Sequence, residues 1–213
     1  MMYTHCTVYI ENMPRDASTT RARIVAAAVD LFYGEGIRGV SMDAVAERAQ
    51  VTKRTLYYHF RSKDELVAAY LSSRDQPTLD LFARWIDETE GPLSRKMAGM
   101  FQKLARSTAS PKWKGCGFLR TTAELADTPG HPALKVGAAH KKRFEQWLIG
   151  LIKANGLKEA ELRARQITIL LDGAVSAILV HRDPSYAEAA GRLASALVRC
   201  QRTIPSPRTL TSK

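Results

Sequence analysis

The feature that most restricts how this chain folds is a run of three helix starts crowded between Ser41 and Glu65. Ser41, Thr52 and Ser62 each stand where a side-chain oxygen accepts from backbone N–H groups that the first turn of a helix leaves unpaired. Ser62-Lys63-Asp64-Glu65 is also a capping box, with Glu65 placed to reach back. Between the first two caps, Met42, Val45, Ala46 and Ala49 fall at helical spacing, and Val51 and Leu56 close a small core with them. The spacing predicts a helix, a tight turn and a second helix.

The second helix, about Lys53 to Phe60, carries Lys53, Arg54, Thr55, Tyr57, Tyr58 and His59. Donors and aromatic rings at that density suit the major groove of DNA, which the second helix of such a motif enters while the first crosses the backbone.

The stretch from Val51 to Leu66, with Leu56-Tyr57-Tyr58-His59-Phe60 at its centre, resembles the recognition helix and the start of the fourth helix of the TetR family of transcriptional regulators. Ile24 to Phe32 and Gly36 to Met42 resemble that family's first helix and the entry to its second. The resemblance covers roughly residues 20–70. One position departs from it: Gln50 stands where the family usually has Gly, and a left-handed backbone there costs a non-Gly residue on the order of 1 kcal/mol.

The resemblance implies an all-α fold, with an N-terminal three-helix DNA-binding domain and a C-terminal helical ligand-binding and dimerisation domain. The expected division is a disordered extension over 1–16, the helix-turn-helix domain over 17–62, the effector and dimerisation domain over 63–202, and a disordered tail over 203–213. Met13 is either the natural start or an internal residue of a longer extension. Lys53, Arg54 and Thr55 are expected at base edges or nearby phosphates, and Tyr57, Tyr58 and His59 at phosphates and thymine methyls. Ser41, Thr52 and Lys63 complete the expected DNA-contact set, Lys63 beside a helix N-terminus.

Composition decides less than the motif. The formal net charge is +11, yet residues 1–75 hold ten Lys/Arg against nine Asp/Glu, so nearly all the excess lies further along the chain. Arg95 to Arg120 contains seven basic residues and no acidic one, which is either a solvated face or a surface that attracts anions. Cys6, Cys116 and Cys200 are odd in number and far apart, so neither a disulfide framework nor a metal site follows, and a reduced cytoplasmic setting is expected. The apolar run Ile167 to Val180, interrupted by Asp172, reads as too short for a bilayer, so no membrane partner is expected.

Along the chain, Ile24, Val25, Ala28, Leu31 and Phe32 form one stripe of a first helix that stops at Gly34-Glu35-Gly36. Arg21 and Arg23 at its opening either reach phosphates or keep the helix start soluble. After the capping box a long helical pattern contains Pro77, which predicts a kink or break near Asp75 to Pro77. Further helices are expected from Leu93 to Ala109, Cys116 to Leu125, Pro132 to Asn155, Glu159 to His181 and Pro184 to Arg202. The segment Gly115 to Arg120, with Ala123-Glu124-Leu125 and His131-Pro132-Ala133, resembles the ligand domain of one TetR subgroup. No strand alternation and no internal repeat is visible.

The helix from Leu162 to Val180 is apolar almost all round, and the last helix is rich in Ala, Ser and Gly. Such surfaces need covering, and in the resembling family the last two helices pair with their copies in a second subunit. A homodimer through about residues 162–202 is therefore expected, binding a palindromic double-stranded operator. Trp85, Phe101, Phe118, Thr122, His140 and Phe144 are the expected lining of an effector site, although most aromatics of this kind are core. Cys116 near Lys112 and Lys114 is either a buried small hydrophobe or a redox-sensitive thiol.

No nucleophile with its base, phosphate loop, carboxylate pair or metal-ligand spacing is present, so neither an enzyme nor a cofactor is expected. The expectation is thus a ligand-responsive regulator, most simply a repressor released by a small molecule. Two alternatives stay open: a DNA-binding factor without an effector, and an all-α ligand-binding protein or enzyme.

Overall fold

The computed structural model describes residues 17–199. The expectations about residues 1–16, Met13, Cys6, Cys200 and the tail from 203 lie outside the described residues. Among those described, the chain is all-α, with helices α1 (Ala17–Glu35), α2 (Met42–Arg48), α3 (Lys53–His59), α4 (Lys63–Asp87), α5 (Leu93–Thr108), α6 (Gly117–Glu124), α7 (Pro132–Ala154), α8 (Ala160–His181) and α9 (Ser185–Leu197).

The chain forms two compact units. One takes the chain up to Leu81 together with Ser110–Lys142, and the other takes Phe82–Ala109 with the chain from Arg143 onward.

The first unit is built on the stripe foreseen for α1. Ile24 and Ala28 are fully buried, and Phe32 meets Tyr70 of α4 edge to face at 5.7 Å. Val45, Leu56, Phe60, Leu66, Val67 and Leu71 complete a core in which each is 0 % exposed. Burial pushes the Tyr70 phenol up to about 12, so it stays neutral at all ordinary pH. α1 ends where Gly36 takes φ +87, a conformation that L residues avoid.

This unit is wider than the stretch 17–62 because the segment after Ser110 is bonded to the turn between α1 and α2. The Glu124 carboxylate, at the end of α6, accepts from the Ile37 N–H at 2.7 Å and the Arg38 N–H at 3.3 Å. Arg38 returns the contact, donating to the Glu124 carbonyl at 2.8 Å and to Asp127 at 2.6 Å. Arg120 donates to the Tyr33 carbonyl at 2.8 Å. Deeper in the same unit, His140 of α7 lies 2.8 Å from Asp75 of α4, and its ring stacks on Phe118 at 3.6 Å. Both partners of this pair are buried.

Of the kink or break expected near Pro77, the break does not occur: α4 is helical from Lys63 to Asp87 with Pro77 inside it. A proline removes one backbone donor and crowds the preceding turn. Next to it, the Thr78 hydroxyl donates to the Arg74 carbonyl at 2.6 Å.

In the second unit α5 packs chiefly on α9, and α9 on α8. Phe101 of α5, fully buried, lies so close to Gly191 of α9 that a Cβ there would come within 2.7 Å of it. Phe82, Trp85, Phe144 and Trp147 form a chain of aromatic contacts 5.1 to 5.4 Å apart. Arg163 of α8 donates to the Leu197 carbonyl at the end of α9. α9 starts with Asp183 accepting from the Ser185 N–H at 2.9 Å and ends at Leu197, earlier than the Arg202 foreseen.

α8 leaves part of itself exposed. Leu162, Ile169 and Val180 are 50 %, 64 % and 74 % exposed. At about 100° per residue they fall on one line along the helix, opposite the buried Ala164, Ile167, Leu171 and Val175. On α9, Tyr186 and Leu193 are exposed one heptad apart. At 22 residues the whole of α8 is long and apolar enough, by length and composition alone, to cross a bilayer, whereas the run Ile167 to Val180 inside it is shorter than a bilayer needs.

Candidate nucleic-acid interface

The helix-turn-helix assembles as the caps dictate. Ser41 has extended backbone and its hydroxyl accepts from the Ala44 N–H at 3.0 Å, starting α2. Thr52 does the same for α3, accepting from the Thr55 N–H at 3.1 Å, with the two threonine hydroxyls 2.8 Å apart. Ser62 accepts from the Glu65 N–H, while the Glu65 carboxylate reaches back one residue further than a capping box requires, to the Arg61 N–H at 2.9 Å. A hydroxyl that accepts in a cap keeps its own proton for donation, so Ser41 remains able to bind a phosphate, while the Thr52 and Thr55 hydroxyls share one proton contact between them.

Gln50 takes φ +53 in the turn between α2 and α3. Its strain is offset locally, since the Arg23 guanidinium donates to the carbonyls of Ala49 at 2.7 Å and Gln50 at 3.3 Å. Arg21 lies over the Phe60 ring, 4.7 Å from its centre. Both arginines stay exposed, and in the free protein one closes the turn while the other lies over Phe60. Relief of left-handed strain is worth about 1 kcal/mol, partly cancelled by the greater freedom of Gly in the unfolded chain. Gln50→Gly should therefore gain up to about 1 kcal/mol and Gln50→Val lose about 1 to 2 kcal/mol in urea unfolding. An order other than Gly, Gln, Val would contradict the strain.

Only Leu56 of α3 is fully buried within the helix, which turns the rest of its side chains outward. Lys53 and Arg54 are exposed, Thr55 and His59 half-buried, and Tyr57 and Tyr58 are 42 % and 81 % exposed. The Tyr58 and His59 rings meet edge to face at 5.2 Å. Lys63, first residue of α4, is half-buried. Two phenol rings facing water on a seven-residue helix contribute nothing to the core, and they present aromatic edges beside two cations. Lys53 is engaged: its ammonium lies 2.9 and 3.1 Å from the two carboxylate oxygens of Asp43, and that bond holds its pKa above the ordinary lysine value. Asp43 had no role in the sequence reading, because nothing in the spacing of α2 says which way an exposed carboxylate turns.

The residues expected around an effector are placed in several settings. Phe118 and His140 are brought face to face, and Thr122, exposed, donates to the Phe118 carbonyl at 2.9 Å. Phe144 and Trp85 share the aromatic chain through Phe82. Phe101 stands apart from that chain, in the seam with Gly191. A cavity of about 620 Å³ opens between α5 and α9, lined by Gln102, Arg106, Glu188 and Arg192 among others and by none of the six.

A profile of the bacterial regulatory proteins, tetR family, matches residues 24–70. The chain is 24 % identical over 184 residues to the HTH-type transcriptional regulator YjdC of Escherichia coli (strain K12), covering 85 % of this chain and 95 % of YjdC. Over 62 residues it is 39 % identical to the HTH-type transcriptional regulator SrpR of Pseudomonas putida, a match to 29 % of each chain. Among solved structures it resembles SCO4454, a TetR-family transcriptional regulator from Streptomyces coelicolor, with a TM-score of 0.73 and 30 % identity, covering 85 % of this chain and 95 % of that one. The capped helix pair, the outward face of α3 and these likenesses over most of the length agree: the chain belongs to the TetR family and is a DNA-binding transcriptional regulator, not an enzyme.

Proposed function

We propose that this regulator is a cytoplasmic repressor that binds a palindromic operator as a homodimer and is released by a small-molecule effector. In this reading residues 17–62 read DNA, and 63–202 bind the effector and the second subunit. Ser41, Thr52, Lys53, Arg54, Thr55, Tyr57, Tyr58, His59 and Lys63 make the contacts, phosphates fixing the pose and base edges the sequence. The observation that carries the reading is the outward face of α3, with Tyr58 81 % exposed beside free-standing Arg54 and Tyr57.

A seven-residue helix touches few base pairs, so a second copy about one helical turn away, roughly 34 Å, is needed for specificity. The exposed line of Leu162, Ile169 and Val180, with Tyr186 and Leu193, supports a partner helix pair there. The effector is proposed to touch Trp85, Phe101, Phe118, Thr122, His140 and Phe144. Its effect on DNA affinity can be no larger than its differential affinity for the DNA-competent and incompetent states. A factor without an effector is the second reading, favoured by the burial of Phe101, Phe118, His140 and Phe144.

Selection of bound duplexes from a random pool tests the core of this reading. Two inverted half-sites about one turn apart are expected, whereas recovery of single half-sites or no enrichment would contradict it. On the recovered duplex, Lys63→Ala should weaken binding to every sequence and lower the salt slope by about one, while Thr55→Ala should change base preference and leave the slope. Equal loss of slope in both would end the division of labour between them.

A further inference from the structure

We propose that Asp43 is a specificity-determining positioning residue of the DNA interface, holding the Lys53 ammonium away from phosphates until a matching sequence is found. The proposal rests on the reading of α3 as the helix that meets DNA.

Three observations lead to it. The Asp43 carboxylate grips Lys53 with both oxygens, at 2.9 and 3.1 Å, although the two residues belong to different helices across the turn. Both side chains are 64 % exposed, and ion pairs that open to water contribute little to folding, so fold stability does not explain the contact. Of the other carboxylates on these helices, Glu65 caps Arg61, Asp30 binds Arg48, and Glu47, one turn along α2, is exposed. Asp43 is the anion placed against the first cation of α3, on a surface that also offers Arg54, Tyr57 and Tyr58.

The consequence follows from how charge acts on DNA. Non-specific binding comes almost wholly from cations that replace condensed counterions on phosphates, each adding about one to the salt slope. A lysine neutralised by its own carboxylate is withdrawn from that count. For it to bind a phosphate, the ion pair must break and leave Asp43 facing the DNA anion, which opposes loose attachment to any sequence. Held by Asp43, the ammonium keeps a fixed position from which a base edge with acceptors, such as guanine, is within a lysine's repertoire. Asp43 thus widens the gap between specific and random duplexes without touching a base.

The test uses the full-length protein, a random-sequence duplex and the duplex recovered by selection, titrated between about 50 and 200 mM salt. Asp43→Asn is expected to bind the random duplex about tenfold tighter at the low end, with a slope steeper by about one, and to lose about tenfold in preference for the selected duplex. Asp43→Glu, which keeps the charge, is expected to behave like wild type. In a Lys53→Met background, Asp43→Asn still removes an anion that repels DNA, but it is expected to leave the preference for the selected duplex unchanged. A wild-type slope in Asp43→Asn, or the same loss of preference without Lys53, overturns the proposal while leaving DNA binding by α3 intact. Wild-type protein that binds no duplex at low salt overturns both.

Discussion

Replacing Ile169 and Leu193 together by glutamate is expected to convert the proposed dimer into a folded monomer and to lower its operator affinity by about 10² to 10⁴-fold. Both side chains stand in water in the single chain, 64 % and 59 % exposed, so neither substitution removes a core contact. In the proposed pair of subunits the same positions would lie in an apolar seam, where an unpaired carboxylate loses its hydration without compensation. Loss of one subunit turns a bivalent grip into a single short helix on one half-site, which accounts for the size of the effect. Sedimentation of the purified variant gives the mass, and titration with the selected duplex gives the affinity. A variant that still sediments as a dimer would put the subunit contact elsewhere.

Phe101→Ala is expected to destabilise the second unit by about 3 to 5 kcal/mol, a large share of the stability of an ordinary domain. Phe101 is 0 % exposed, and α5 and α9 already touch through Gly191. With the backbones this close, α9 has little room to move into the vacated volume, so the cavity term adds to the lost transfer energy. Urea unfolding followed by circular dichroism measures the loss. Unchanged stability would show that Phe101 does not tie α5 to α9, whatever the variant's effector response.

What could be read in the sequence was what is local. Ser41, Thr52 and Ser62 announce their helices because a cap and its N–H partner lie within three residues. The position of Gln50 foretold a left-handed turn, and φ +53 is found there. The stripe of α1 follows from helical period, which a sequence carries openly, whereas α8 is apolar almost all round and only its burial shows which side faces the core. Pairings across distance were hidden: Asp75 with His140, Glu124 with Ile37 and Arg23 with Ala49 join residues that no spacing rule connects. Arg21 and Arg23 look alike in a list of exposed cations, and only geometry separates a ring cover from a turn closure. At Pro77 the local rule foretold a kink or a break, and the break is absent because helix continues on both sides of it. The pairing of Lys53 with Asp43 belongs to the same hidden class, and it bears directly on how α3 would meet DNA.

The bond from Glu124 to the bend after α1 also has a consequence in time. Ile37 precedes Glu124 by 87 positions, so during synthesis at about 5 to 20 residues per second the bend exists for roughly 4 to 17 s before the carboxylate that ties it is made. The nascent head must wait, or make do with its own caps, until the ribosome has delivered a residue from more than a third of the chain away.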